Sequence, residues 1–180
     1  MKLVLLDRDG VVGLNRATNV KSASDLDLID GAAEGIRRLN EAGFPVAICT
    51  NQPEVASGVI SEARLCEIHT ALGAMVEEGG GAIDRFFSCT SALKCPRRKP
   101  SAGLLREALK HYGARAEATP FIGDQADDLK AAFHARCPRM LVRTGLGAKA
   151  MGTGLPDYLR PYTVCHNLLE ATARIVKGEF

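Results

Sequence analysis

The chain has 180 residues, 46% of them hydrophobic and 24% charged. That is close to the globular average and excludes a disordered chain, a collagen and a coiled coil. Lysine and arginine number 23 against 21 acids, a net charge of +2, which argues against nucleic-acid or membrane partners but leaves room for a local basic patch.

Leu3 to Leu6 is a continuous apolar run that stops at Asp7-Arg8-Asp9-Gly10. Such a run is the mark of a strand buried on both faces of a parallel sheet. A helix is predicted from Gly31 to about Ala42, with Ala32, Ile36 and Leu39 on one face and Gly43 as its stop. A second run, Val46 to Cys49, ends at Thr50-Asn51-Gln52. Ser61 and Glu62 open another helix, with Leu65, Ile68, Leu72 and Met75 as its stripe. Glu77 to Ala82 reads as a flexible loop, and Arg85 to Ser88 as a short strand. A helix from about Ala102 to Tyr112 leads to a brief strand, Pro120 to Ile122, ending at Gly123-Asp124. Leu129 to Ala135 is predicted helical, and Arg139 to Val142 forms a strand ending at Arg143-Thr144-Gly145. The last helix runs from about Leu168 to Val176.

Strands alternating with helices predict an α/β fold: a Rossmann-like parallel sheet with helices on both faces. No linker divides the chain, so residues 1–180 are expected to form one domain. The six cysteines (Cys49, Cys66, Cys89, Cys95, Cys137 and Cys165) are too sparse for a secreted disulfide scaffold. Between Lys2 and Asp7 stand four apolar residues, fewer than the roughly 7–15 of a signal peptide. No run approaches the roughly 20 residues that span a bilayer. A cytoplasmic protein with reduced thiols is expected.

Right-handed crossovers bring every strand's C-terminal end to one edge of the sheet, where ligands of such sheets bind. That edge would gather Asp7 and Asp9, Thr50 and Asn51, and Asp124 with Asp127 and Asp128 behind it. Lys94-Cys95-Pro96-Arg97-Arg98-Lys99-Pro100 is the densest basic cluster. Carboxylates are hard ligands for Mg²⁺, an aspartate can attack phosphorus, and a neighbouring acid can move the proton. A hydroxyl and an ammonium can stabilise the transferring phosphoryl group. The set suits phosphoryl transfer.

The motifs Asp7-Arg8-Asp9-Gly10, Thr50-Asn51-Gln52, Arg98-Lys99-Pro100 and Gly123-Asp124 with Asp128, in this order, resemble those of the haloacid dehalogenase superfamily of phosphatases. Arg143-Thr144-Gly145 extends the likeness to the histidinol-phosphate and heptose bisphosphate phosphatase branch. The resemblance implies Asp7 as nucleophile and Mg²⁺ ligand, and Asp9 as general acid/base and ligand through its carbonyl. Asp124 would complete the metal site, with Asp128 in support. Thr50, with Asn51 beside it, would bind phosphoryl oxygens. Lys99 would neutralise the phosphoryl charge, and Arg98 would contact the substrate outside the reacting group.

The branch often carries a zinc loop with paired ligands before Arg-Lys-Pro. Here only Cys89 and Cys95 remain, and no histidine lies between residues 85 and 100. Structural zinc almost always takes four ligands, so zinc is not expected. Nor is there room for a large cap domain; loops 13–25, 53–60 and 88–98 are expected to cover the site. His69, His111, His134 and His166 read as surface or structural residues.

The resulting expectation is a Mg²⁺-dependent phosphatase of a small phosphorylated sugar, heptose 1,7-bisphosphate first, acting as a monomer or small homo-oligomer. A histidinol-phosphate phosphatase is the nearest alternative. A non-catalytic phosphate- or partner-binding module on the same fold is the alternative of another class.

Overall fold

A computed structural model describes residues 2–15 and 19–180. Six parallel strands form one sheet: β1 (Val4–Leu6), β2 (Val46–Asn51), β3 (Arg85–Cys89), β4 (Phe121–Gly123), β5 (Arg139–Val142) and β6 (Thr163–Cys165). Their spatial order is β3-β2-β1-β4-β5-β6. β1 is therefore central. The chain builds outward from it on one side, then returns to build outward on the other. The reversal falls between β1 and β4, where a crevice opens at the strands' C-terminal ends.

Helices cover both faces because side chains alternate across each buried strand. Val4, Leu6, Val46 and Ile48 pack with α1 (Ala32–Glu41), α2 (Glu62–Glu78) and α6 (Leu168–Lys177). Leu3, Leu5, Ala47 and Cys49 pack on the other face with α3 (Gly103–Tyr112) and α4 (Ala126–Ala135). All eight of these residues, seven in the strands and Leu3 just before β1, are fully buried. At roughly 1.5–3 kcal/mol for each large apolar side chain, this burial is what holds β1 between its neighbours.

Three expectations change. α4 begins three residues earlier than predicted, at Ala126, because Gln125 caps it and the Asp128 carboxylate accepts the Gln125 backbone N–H. Of the segment 77–82 expected as a loop, Glu77 and Glu78 belong to α2 and only 79–82 are turn and loop. α2 runs through Glu78, Gly79 and Gly81 donate back to the Val76 carbonyl, and a Cβ on Gly79 would stand 2.5 Å from the Ala33 Cβ of α1. One α-helix and one strand lie outside the expected set: α5 (Gly147–Thr153) and the edge strand β6. Of the predicted covering loops, residues 16–18 of the first lie outside the described residues.

Candidate active site

Asp7 follows β1 and Asp124 follows β4. Leu6 pairs with Ile122, and the Asp7 N–H donates to the Ile122 carbonyl at 2.9 Å. Sheet register alone therefore brings together two carboxylates separated by more than a hundred residues of chain. Asp128, in the first turn of α4, completes the group. One carboxylate oxygen from each of Asp7, Asp124 and Asp128 lies within 4.8 Å of the others.

Each carboxylate is held differently. Asp7 Oδ1 accepts from the Arg8 N–H and pairs with Lys99 Nζ, both at 2.8 Å. Asp128 Oδ1 accepts from Lys99 Nζ at 2.7 Å, and its Oδ2 accepts from the Asp124 and Gln125 N–H groups. Asp124 Oδ2 accepts from the Leu146 N–H at 2.8 Å. Asp124 Oδ1 is buried with no hydrogen-bond partner among the described residues. A buried carboxylate oxygen left without a donor is costly. Placed beside two more carboxylates, it is the donor set of a hard divalent cation, and the residues fit Mg²⁺. Asp128 is already saturated by N–H and ammonium donors, which suits a supporting role rather than ligation.

The charges are deeply buried. Asp7, Lys99, Asp124 and Asp128 are each at most 6% exposed. Burial pushes the Asp7 carboxyl up to about 8 against the pull of Lys99, with Asp128 adding to the rise. Burial, then Asp128, raises Asp124 to about 7. Lys99 is held firmly protonated, because Asp128 and Asp7 outweigh its own desolvation.

Glycines make the approach possible. Gly10 and Gly145 both have left-handed backbones, with φ of +86° and +56°. A Cβ on either would stand 2.0 and 2.3 Å, respectively, from Asp124 Oδ2. The loops after β1 and β5 thus clasp the Asp124 carboxylate, and Thr144 ties them by donating to the Gly10 carbonyl at 2.7 Å.

The remaining expected residues line one cleft of about 440 Å³ with Asp7 and Lys99: Asp9, Thr50, Asn51 and Arg98. Thr50 Oγ1 accepts from Gln52 Nε2 at 2.9 Å, leaving its hydroxyl hydrogen free to donate. Asn51 lines the cleft as expected and is also tied to Lys99. Its Nδ2 donates to the Lys99 carbonyl, and its Oδ1 accepts from the Lys99 N–H. It anchors Lys99 across 48 residues of chain, and the second hydrogen of its Nδ2 stays available as a donor. Arg98 Nη1 donates to the Ser91 carbonyl at 2.8 Å, and Lys94 joins the same wall. Gln52 and Arg8, for which no role was foreseen, both hold Asp9: Gln52 Nε2 donates to Asp9 Oδ2, and Arg8 forks onto both oxygens. Each stood inside a recognised motif, the one available signal. Cys89 and Cys95 bring their sulfurs to 3.6 Å.

A buried aspartate beside a lysine and a hard-cation site, at the switch point of a doubly wound sheet, defines a class of phosphoryl-transfer hydrolases. Comparison with known proteins agrees. Residues 96–171 match the HAD-hydrolase-like family model. The chain is 37% identical to a D-glycero-beta-D-manno-heptose-1,7-bisphosphate 7-phosphatase of Pseudomonas aeruginosa, over 86% of this chain and 88% of that protein. It is 34% identical to the enzyme of that name from Bordetella bronchiseptica, over 98% and 99%. The crystal structure of D,D-heptose 1,7-bisphosphate phosphatase from B. bronchiseptica, complexed with magnesium and phosphate, superimposes with a TM-score of 0.92, covering 99% of each chain. This chain belongs to the haloacid dehalogenase-like hydrolases, in the branch that holds the heptose bisphosphate phosphatases. It is a six-stranded parallel α/β sheet that superimposes on that neighbour over nearly its whole length, with no separate cap domain among the described residues.

Proposed function

We propose that the chain, acting as one domain over residues 1–180, is a Mg²⁺-dependent phosphomonoesterase that removes one phosphate from a small sugar bisphosphate. The observation that carries this reading is the unpartnered buried oxygen of Asp124 beside Asp7 and Lys99. The relatives' names favour D-glycero-D-manno-heptose 1,7-bisphosphate as substrate and its 7-phosphate as the group removed. Arg98 and Lys94 supply cations on the cleft wall for a second anionic group.

Asp7, Asp124 and the Asp9 main-chain carbonyl are the groups that would hold magnesium. When bound, the ion screens the phosphoryl charge from the attacking carboxylate. Asp7 attacks phosphorus, forming an oxygen–phosphorus bond while the bond to the sugar oxygen breaks. Asp9 delivers a proton to that departing oxygen, then takes one from water as water attacks the aspartyl phosphate, breaking the Asp7 oxygen–phosphorus bond and releasing phosphate and the free Asp7 carboxylate. Thr50 donates its free hydroxyl hydrogen to a phosphoryl oxygen, and Lys99 balances the charge that develops. Asn51, by gripping the Lys99 main chain on both sides, keeps that ammonium in place.

The test is hydrolysis of the heptose bisphosphate anomers and of histidinol phosphate, with Mg²⁺ or with chelator. Mg²⁺-dependent release of one phosphate from the bisphosphate, with slower turnover of histidinol phosphate, is expected. No hydrolysis across a broad panel of phosphate esters would favour a binding module on the same fold. Zinc is not part of the proposal, and metal analysis of the purified protein should find less than one zinc per chain.

A further inference from the structure

Arg8 is among the largest fully buried side chains, with only 2% of its surface exposed. A buried guanidinium keeps its charge and must find acceptors for its N–H groups. Arg8 Nε donates to Asp9 Oδ1 at 3.0 Å, and Nη2 donates to Asp9 Oδ2 at 2.9 Å. This two-point fork fixes the plane of the carboxylate as well as its distance.

The third corner of the guanidinium meets His69, which is not among the residues lining the cleft. Arg8 Nη1 lies 3.4 Å from His69 Nε2, on the buried face of α2. Arginine has no acceptor atom, so Nε2 must accept and the ring proton must sit on Nδ1. The imidazole is therefore neutral. Burial first, and the Arg8 charge second, agree with this by pushing His69 down to about 3. The ring is fixed in turn by Phe86 of β3, stacked at 4.4 Å between centroids and only 10° from parallel. A chain of contacts thus runs from the edge of the sheet to the cleft: Phe86, His69, Arg8, Asp9.

We propose that His69 is a positioning residue for the acid/base step, acting through Arg8 to hold the Asp9 carboxylate at the reacting oxygen. This rests on Asp9 being the group that protonates the leaving oxygen. Without the acceptor at His69, one corner of a buried guanidinium is unpartnered. Arg8 then turns toward another acceptor and draws Asp9 with it. A displaced acid affects only substrates that need its proton. An alkyl phosphate such as a sugar phosphate needs it, because an alkoxide leaves poorly. 4-Nitrophenyl phosphate does not, because its phenolate leaves readily without protonation. Since kcat/KM covers the steps up to departure of the leaving group, comparing the two isolates this proton transfer from the later attack of water.

The experiment uses His69→Phe, which keeps a ring over Phe86 but has no acceptor, and His69→Gln, which keeps an acceptor. For the sugar phosphate, His69→Phe should lower kcat/KM about tenfold or more, and His69→Gln should remain within about threefold of wild type. For 4-nitrophenyl phosphate both variants should stay within about threefold. Equal losses on the two substrates, or no loss on the sugar phosphate, would overturn the proposal. A second readout does not depend on turnover. NMR of arginine side chains, with the Arg8 signal identified by its absence in Arg8→Lys, should show a slowly exchanging Arg8 Nε–H in wild type and His69→Gln. That protection should be lost in His69→Phe; if it persists there, the proposal fails whatever the kinetics. A wild-type enzyme that cleaves the aryl ester but no alkyl phosphate would overturn the assigned substrate class instead, and the NMR result would still decide the role of His69.

Discussion

At the scale of single residues, the site is held by a few polar atoms that each serve two partners, as Lys99 Nζ does Asp7 and Asp128 and Gln52 Nε2 does Thr50 and Asp9. Asp7→Asn keeps the shape and removes the proposed nucleophile. Phosphate release should fall by about a thousandfold or more while the fold persists, as steady-state assay and circular dichroism would show together. Gly10→Ala adds a single carbon where the backbone is left-handed and the Asp124 carboxylate is already in the way. We expect a stability loss of about 1–3 kcal/mol in urea, with a weakened Mg²⁺ requirement curve. The aspartates proposed as catalytic could be read in the sequence because a hydrophobic run halts abruptly at Asp7. The task of Asn51 could not, since both of its partners are main-chain atoms 48 residues away. His69 falls on the buried stripe of α2 with Leu65, Ile68 and Leu72, so its burial follows from helical spacing. Its partner Arg8 does not: 61 residues separate the two in the chain.

At the scale of elements, the turn from β4 into α4 places two of the three clustered carboxylates. A Cβ on Gly123 would stand 2.2 Å from the Asp128 Cβ, so the strand and the first turn of the helix meet over a bare backbone. Gly123→Ala should separate them, with a cost of about 1–3 kcal/mol in denaturant and a larger proportional loss of activity than of stability. An unchanged activity would show that the site tolerates the shift. Strands β1 and β2 were legible because both faces are covered, which demands unbroken apolar runs. β6 was not: it is three residues long, lies at the sheet edge, and is only half-buried at Thr163 and Val164. α5 contains two glycines in seven residues, and local propensity speaks against a helix there. Packing decides instead, for a Cβ on Gly147 would stand 1.7 Å from the Val142 carbonyl oxygen.

At the scale of the whole molecule, the buried acids couple metal, protons and stability. Unfolded aspartates titrate near 4, whereas Asp7 and Asp124 are raised to about 8 and about 7. Between those limits the native state retains protons that the unfolded chain has released. The contribution of these two groups to stability is complete below about pH 4. It is lost as pH rises through about 7 to 8. With chelator present, the melting temperature should therefore fall between pH 6 and pH 8. Magnesium competes with those protons, so its stabilising effect should grow over the same interval. Saturating metal adds about 2.7 kcal/mol at a hundredfold excess over its dissociation constant, or about 5–10 °C for a domain of this size. Thermal unfolding at the two pH values measures both effects; a metal-free protein more stable at pH 8 would contradict them. The sheet order carries one more consequence, in folding time. β1 is first in the chain and central in the sheet, but its neighbour β4 begins only at Phe121. Long-range parallel pairing is slow to form compared with local helix. In refolding, helical signal should therefore recover before activity, and the return of phosphate release would mark the moment β4 docks against β1.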